Sequence, residues 1–219
     1  MPPDAAPRAG LELLLKGQIL SQIEESQRVL GALAGHRESL LAIANLLAAT
    51  LDQGGTLYLC GNGGSAADAQ HVAAEFVGRF LRERRPLPAV ALTVDTSILT
   101  SIANDYDFSE VFSRQVQALV RPRDCLIGIS TSGRSPNVLK ALVAAREAGA
   151  ATIGFTGANR QEFAALCDQC LQAPSRETAR IQEAHLLAWH LICNIVDQYF
   201  TPSAMRSASD SHAGSPPSG

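Results

Sequence analysis

No run of apolar residues in this sequence is long enough to cross a bilayer, and Met1-Pro2-Pro3-Asp4 lacks the charged-then-apolar order of a secretion signal. The expected location is the cytoplasm, with no membrane partner. A basic excess is missing too. Lys and Arg number 18 against 21 Asp and Glu, a formal net charge of −3, which leaves no broad footprint for nucleic acid. The densest basic run, Arg82-Glu83-Arg84-Arg85 ahead of Pro86 and Pro88, reads as a solvated loop that could help attract an anion. Cysteines are five and scattered, an odd count that argues against a disulfide framework. Cys167 and Cys170 have CxxC spacing but no second pair and no preceding thioredoxin-like turn. They read as small core residues, Cys167 ending a short helix and Cys170 inside a strand.

What is present suits one domain: 219 residues, 46% of them apolar. Helix-period apolar positions run from Leu11 to about Leu51, interrupted at Ala34-Gly35-His36. Residues 11–52 are therefore expected to form two helices packing on the domain. A helical arm of this kind often packs on other subunits as well, which is expected here although periodicity alone does not show it. From Thr56 the pattern changes to short apolar runs alternating with helical segments: 57–60, 89–92, 125–129, 152–155 and 170–173. Such runs predict an α/β domain over 53–202, a doubly wound five-stranded parallel sheet flanked by helices, with a last helix from Thr178 to Phe200. Residues 1–10 and the Ser-, Ala-, Gly- and Pro-rich segment 203–219 are expected to be disordered.

Ligands of such sheets bind at the carboxyl ends of the strands. Two of those ends are rich in glycine and hydroxyls. The first is Gly61-Asn62-Gly63-Gly64-Ser65, leading into a helix. Its glycines permit a sharp turn and close approach of a ligand, although a tight turn with Ser65 as N-cap needs no ligand at all. The pattern is neither GxGxxG nor a P-loop, since no Gly-Lys-Ser/Thr follows. The second is Ser130-Thr131-Ser132-Gly133-Arg134-Ser135-Pro136-Asn137, with Ser135 expected as N-cap and Pro136 as first helical residue. Capping accounts for one or two hydroxyls, not for Ser130, Thr131 and Ser132 together. A phosphate cradle accounts for them all.

Two helices carry candidate acid–base groups. His71 and Glu75, at i and i+4, share a face and could bind metal or pass protons, although a plain surface hydrogen bond is the commoner outcome for such a pair. The last helix carries Gln182, His185 and His190 on neighbouring stripes. Spacing does not choose between the two histidines.

The stretch from Gly61 to His71 resembles the first signature of the phosphoheptose isomerases of the sugar-isomerase (SIS) fold. Asp95 to Tyr106, Phe112 to Val116, Ser130 to Asn137 and Arg180-Ile181-Gln182-Glu183 are similar to further segments of that family, in the same order. The similarity spans nearly everything from the N-terminal helices to Phe200. It implies a single SIS domain and substrate contacts at Asn62, Gly63, Gly64, Glu75, Asn104, Asp105, Ser130, Thr131, Ser132, Ser135 and Gln182, with Arg79 near the site. It also implies one zinc per subunit held by His71, Glu75, Gln182 and His190, with Glu75 as base and His190 as the opposing acid–base group. Where some members carry an aspartate before the Arg-Ile-Gln motif, this chain has Ala179.

The implied reaction converts sedoheptulose 7-phosphate into D-glycero-D-manno-heptose 7-phosphate through an enediol, feeding heptose nucleotide synthesis for lipopolysaccharide core or another glycan. A homotetramer with active sites between subunits is implied as well. Two other readings share the fold. One is a non-catalytic protein that binds the bacterial replication initiator; such relatives lack the acid–base pair, which Glu75 and His190 supply here. The other is an aminosugar-phosphate isomerase or sugar-phosphate sensor, which lacks the combined Glu75, Gln182 and His190 set.

Overall fold

The structure, a computed structural model, describes residues 5–202; residues 1–4 and the tail 203–219 lie outside it. Helix α1 (Ala5–Ala32) begins inside the segment expected to be disordered. A four-residue 3-10 turn, Leu33–His36, then separates α1 from α2 (Arg37–Asp52), where Ala34-Gly35-His36 interrupts the apolar period. Five short strands follow: β1 (Leu57–Gly61), β2 (Ala89–Ala91), β3 (Cys125–Ser130), β4 (Ala151–Gly157) and β5 (Gln169–Ala173). They form one parallel sheet in the order β2-β1-β3-β4-β5.

Parallel neighbours require crossovers, and helices supply them. These are α3 (Gly64–Val77), α4 (Thr96–Asp105), α5 (Ser113–Leu119), α6 (Pro136–Glu147) and the single turn α7 (Gln161–Ala164); α8 (Thr178–Phe200) closes the described chain. Alternate strand residues face opposite layers. Leu57, Leu59, Ile127, Ile129 and Phe155 pack against α2, α3 and α8 through Leu47, Phe76 and Trp189. Cys60 and Leu126 face α5, α6 and α7 through Val116, Leu142 and Phe163. Phe155 stacks on Trp189 at 4.2 Å between ring centroids, both fully buried. Truncating either to Ala is expected to cost about 3–5 kcal/mol.

The second half of α1 docks on α8 through Val29 and Leu33 against Ile181 and Ala184. Its earlier turns leave Leu13, Leu14, Ile19 and Ile23 exposed.

The basic run is not a solvated loop throughout. Arg84 is buried, because its guanidinium is bonded on every side. It pairs with Asp197 of α8 at 2.8 Å and donates to the carbonyls of Glu75, Phe76, Gly78 and Arg85. Asp197 also accepts from the Leu81 and Arg82 amides. The carbonyls freed at the end of α3 need donors once buried, and Arg84 provides them. Cys170 lies in β5 as expected, whereas Cys167 lies past the end of α7; both are half-buried, and all five cysteines are free.

Candidate active site

In this strand order the connections from β1 and from β3 leave toward opposite faces, so a crevice opens between the ends of those two strands. Both loops singled out in the sequence sit there. In the first, Gly63 adopts φ 56° and ψ −122°, a region closed to residues with a side chain, and it is the N-cap of α3. Ser65 is therefore not the cap; it is buried within the first turn. A β-carbon on Gly64 would collide with the Gln182 carboxamide, so glycine at this point lets α8 rest against the start of α3.

In the second loop Ser135 is the N-cap of α6 and Pro136 follows, as expected, but the Ser135 hydroxyl makes no capping bond. It lies 2.9 Å from the Ser130 hydroxyl instead. Ser132 accepts from the Arg134 amide, and the Thr131 carbonyl accepts from Gly157, which ties the loop to the end of β4. Hydroxyls are thus gathered at the positive end of a helix whose first turn they do not cap, an arrangement suited to an anion. The two loops are joined by their asparagines: Asn62 donates to Asn137 at 2.9 Å and Asn137 donates back at 2.8 Å.

Further along α3 stands the acid–base cluster. The Nε2 atoms of His71 and His190 are 3.3 Å apart, and the Glu75 carboxylate lies 3.6 Å from the same nitrogen of His71. Phe80 stacks on the His190 ring at 5.4 Å. His185 is elsewhere: fully buried, it bonds the Thr156 carbonyl at 3.1 Å, and burial pushes its imidazole down to about 4. Gln182 precedes His190 by eight residues, about 12 Å along the axis, and keeps to the glycine turn. The rest of the Arg-Ile-Gln-Glu stretch is structural. Arg180 bonds the Gln22 carbonyl and pairs with Glu183, which accepts from Ser26, so that α8 is fastened to α1.

The remaining expected residues lie at the surface. Asn104 donates to Asp105 at the end of α4, both exposed. Arg79, past the end of α3, pairs with Glu83. Asp68 was not singled out from sequence. One turn before His71, it carries a buried carboxylate oxygen with no hydrogen-bond partner, and burial raises its pKa against the opposing pull of His71. Its three-residue spacing from His71 was the available signal.

Among the described residues no group of three or more His, Cys, Asp and Glu closes around one point. His71 instead stands between His190 on one side and Glu75 on the other. The donors nonetheless suit zinc: ligand nitrogens about 2.0–2.1 Å from a tetrahedral zinc lie about 3.3 Å apart, the spacing the two imidazoles already have.

The SIS-domain family model matches residues 22–157. The phosphoheptose isomerase of Roseiflexus sp. (strain RS-1) is 58% identical over 159 residues, which cover 73% of this chain and 81% of that protein. Among solved structures, the phosphoheptose isomerase of Neisseria gonorrhoeae superposes with a TM-score of 0.79 at 44% identity, covering 84% of this chain and 99% of that one. The enzyme from Francisella tularensis gives 0.80 at 36% identity, covering 83% and 97%. With a family model over more than half its length and relatives this similar, the chain belongs to the phosphoheptose isomerase family of SIS-domain enzymes.

Proposed function

We propose that this enzyme converts sedoheptulose 7-phosphate into D-glycero-D-manno-heptose 7-phosphate, the opening step of heptose nucleotide synthesis, in the cytoplasm. The observation that carries the reading is the meeting of His71 and Glu75 from α3 with His190 from α8. A protein that merely binds the replication initiator has no use for a carboxylate and two imidazoles held at this spacing.

The hydroxyls of Ser130, Ser132 and Ser135, with the Asn137 amide in the first turn of α6, receive the phosphate and fix the remote end of the sugar. Thr131 contributes to the same loop, and Asn62, Gly63, Gly64 and Gln182 present polar groups to the sugar hydroxyls. Glu75 removes a proton from C1 of the open-chain ketose. The C1–H electron pair becomes the C1–C2 double bond, and the carbonyl pair moves to O2, which His190 protonates to give the enediol. The O1 proton then leaves, C1 becomes the aldehyde carbon, and a proton is delivered to C2. The family resemblance implies one zinc per subunit on His71, Glu75, Gln182 and His190. In this chain His71, Glu75 and His190 stand together while Gln182 lies at the glycine turn, and a zinc held by those three would act as a Lewis acid toward substrate oxygens.

A homotetramer is part of the reading, with Asn104, Asp105 and Arg79 at sites shared between subunits. The exposed leucines and isoleucines of α1 support it, since apolar surface of this kind marks association. Mass measured in solution tests it: a monomer would exclude shared sites. For the reaction itself, NMR of the chain with sedoheptulose 7-phosphate in deuterium oxide should show an aldose phosphate carrying solvent deuterium at C2. No turnover would remove the functional reading. Even slight incorporation favours the enediol, since Glu75 can return the same proton to C2. A product with hydrogen moved wholly from C1 and no trace of solvent deuterium favours a hydride shift, with Glu75 as a ligand only.

A further inference from the structure

We infer that Asn137 is a positioning residue that sets the register between the phosphate loop and the glycine turn, acting through Asn62; the inference rests on the isomerase reading above. Asn137 lies in the first turn of α6, directly behind Ser135 and Pro136, and is 2% exposed. Its Oδ1 accepts from the Val138 amide at 3.0 Å, a donor shared with the Ser135 carbonyl at 3.1 Å, and this contact favours the carboxamide orientation with Oδ1 toward Val138. In that orientation the exchange with Asn62 has one solution. Asn62 donates to the same Oδ1, and the Asn137 amide donates to Asn62 Oδ1.

Two consequences follow from the donor and acceptor inventory. Asn62 spends one N–H and one lone pair on Asn137, so its side chain keeps only one donor and one acceptor site for substrate. The end of β1 is also bonded side chain to side chain to the start of α6, across the crevice where those two chain paths diverge. No backbone hydrogen bond duplicates that link beyond the Gly61–Ile129 register of the two strands. A substrate with its phosphate against Ser130 and Ser135 and its hydroxyls against Gly63 and Gly64 feels the distance between the loops. Inorganic phosphate, which occupies the cradle alone, does not.

That asymmetry supplies the test. Asn137→Ala removes both bonds of the exchange, while Asn137→Ser leaves a neutral hydroxyl that cannot make both and adds no charge beside the cradle. Either variant should lower kcat/KM for sedoheptulose 7-phosphate by about tenfold to a hundredfold, the scale of misplacing a bound reactant, with the inhibition constant of inorganic phosphate changed less than about twofold. In a cycle with Asn62→Ala, the Asn137→Ala loss should largely vanish once Asn62 is gone, because the two act as one unit. Asn137→Ser keeps the experiment readable if the alanine variant does not fold. Equal loss of phosphate affinity and kcat/KM would mean that Asn137 merely supports the cradle, and additive losses in the cycle would mean that it does not act through Asn62. An active wild type with both variants unimpaired overturns the inference alone. A wild type without turnover overturns it together with the functional reading.

Discussion

Two of the places where α8 meets α3 or the chain just past its end are built in opposite ways. Past the end of α3, Arg84 and Asp197 are each 1% exposed, and the groups around them exchange bonds of 2.8–3.1 Å. Toward the middle of the helix, His71 and Glu75 are 44% and 22% exposed, at separations of 3.3 and 3.6 Å with no donor closing the set. The first place has nothing left to bind. The second leaves its imidazole and carboxylate partly open to solvent, where they remain free to meet another group. Both are charged and both join the same helices. What separates structure from chemistry here is how completely the polar groups are used up, not which residue types are present.

The largest effect should come from breaking the clamp. Asp197→Ala leaves the Arg84 guanidinium buried without its counterion and two amides without an acceptor. The expected loss is about 3–5 kcal/mol of folding stability, read by denaturant unfolding. A loss below about 1 kcal/mol would place the clamp in the class of surface pairs and erase the contrast.

Glu75→Gln cuts the other place. It keeps the shape but cannot accept a proton, so turnover should fall at least about a hundredfold while substrate still binds. The melting temperature should hold. If Glu75→Gln destabilised the fold as Asp197→Ala does, the carboxylate would be structural and the acid–base assignment would fail.

Sequence gave access to these two places unequally. Strand positions, the fold class and the span of α8 were readable because apolar period and strand-end composition are local signals, and the structure reproduces them. His71 with Glu75 was readable as one turn of one helix. The clamp was not: Arg84 and Asp197 are far apart in the chain, and a basic run before two prolines looks solvated until the end of α3 is seen to need donors. Ser65 was misplaced as the cap by two residues, because Gly63 can take a backbone conformation that makes it the cap. Asn137 stood at the end of a loop already singled out, yet its partner Asn62 lies in the turn after another strand, and no spacing rule links them.

A smaller effect is expected at the phosphate loop, where the contrast can be repeated with a single hydroxyl. Ser135 occupies the N-cap position without capping. Ser135→Ala should therefore leave thermal stability nearly unchanged, whereas loss of a genuine cap costs about 1 kcal/mol. It should weaken inorganic phosphate by about tenfold, as expected for one hydrogen bond to a charged oxygen. A lowered melting temperature with intact phosphate affinity would return Ser135 to the role of a helix cap.

A last effect, absent at neutral pH, separates the two histidines of α8. His185 is fully buried against the Thr156 carbonyl and has a bare Nδ1, whereas His190 stands in the open cluster. Desolvation holds the folded imidazole of His185 down to about 4, partly opposed by its bond to Thr156, while in the unfolded chain it titrates near about 6.5. Above about pH 6.5 both states are neutral at this position and the contribution to stability is complete. Between about 6.5 and 4 the unfolded chain takes up a proton that the folded chain refuses, so stability must fall as pH falls. Below about 4 both states are protonated and the loss levels off. Replacing the ring with His185→Gln removes the titrating group and can keep a donor toward Thr156. Melting temperatures of wild type and variant should then converge as pH drops from 7 to 4, the wild type losing the extra increment. Parallel curves across that range would mean that the buried ring takes its proton as readily as an exposed one. The contrast between a histidine enclosed by the core and one left open for chemistry would then fail at its simplest point.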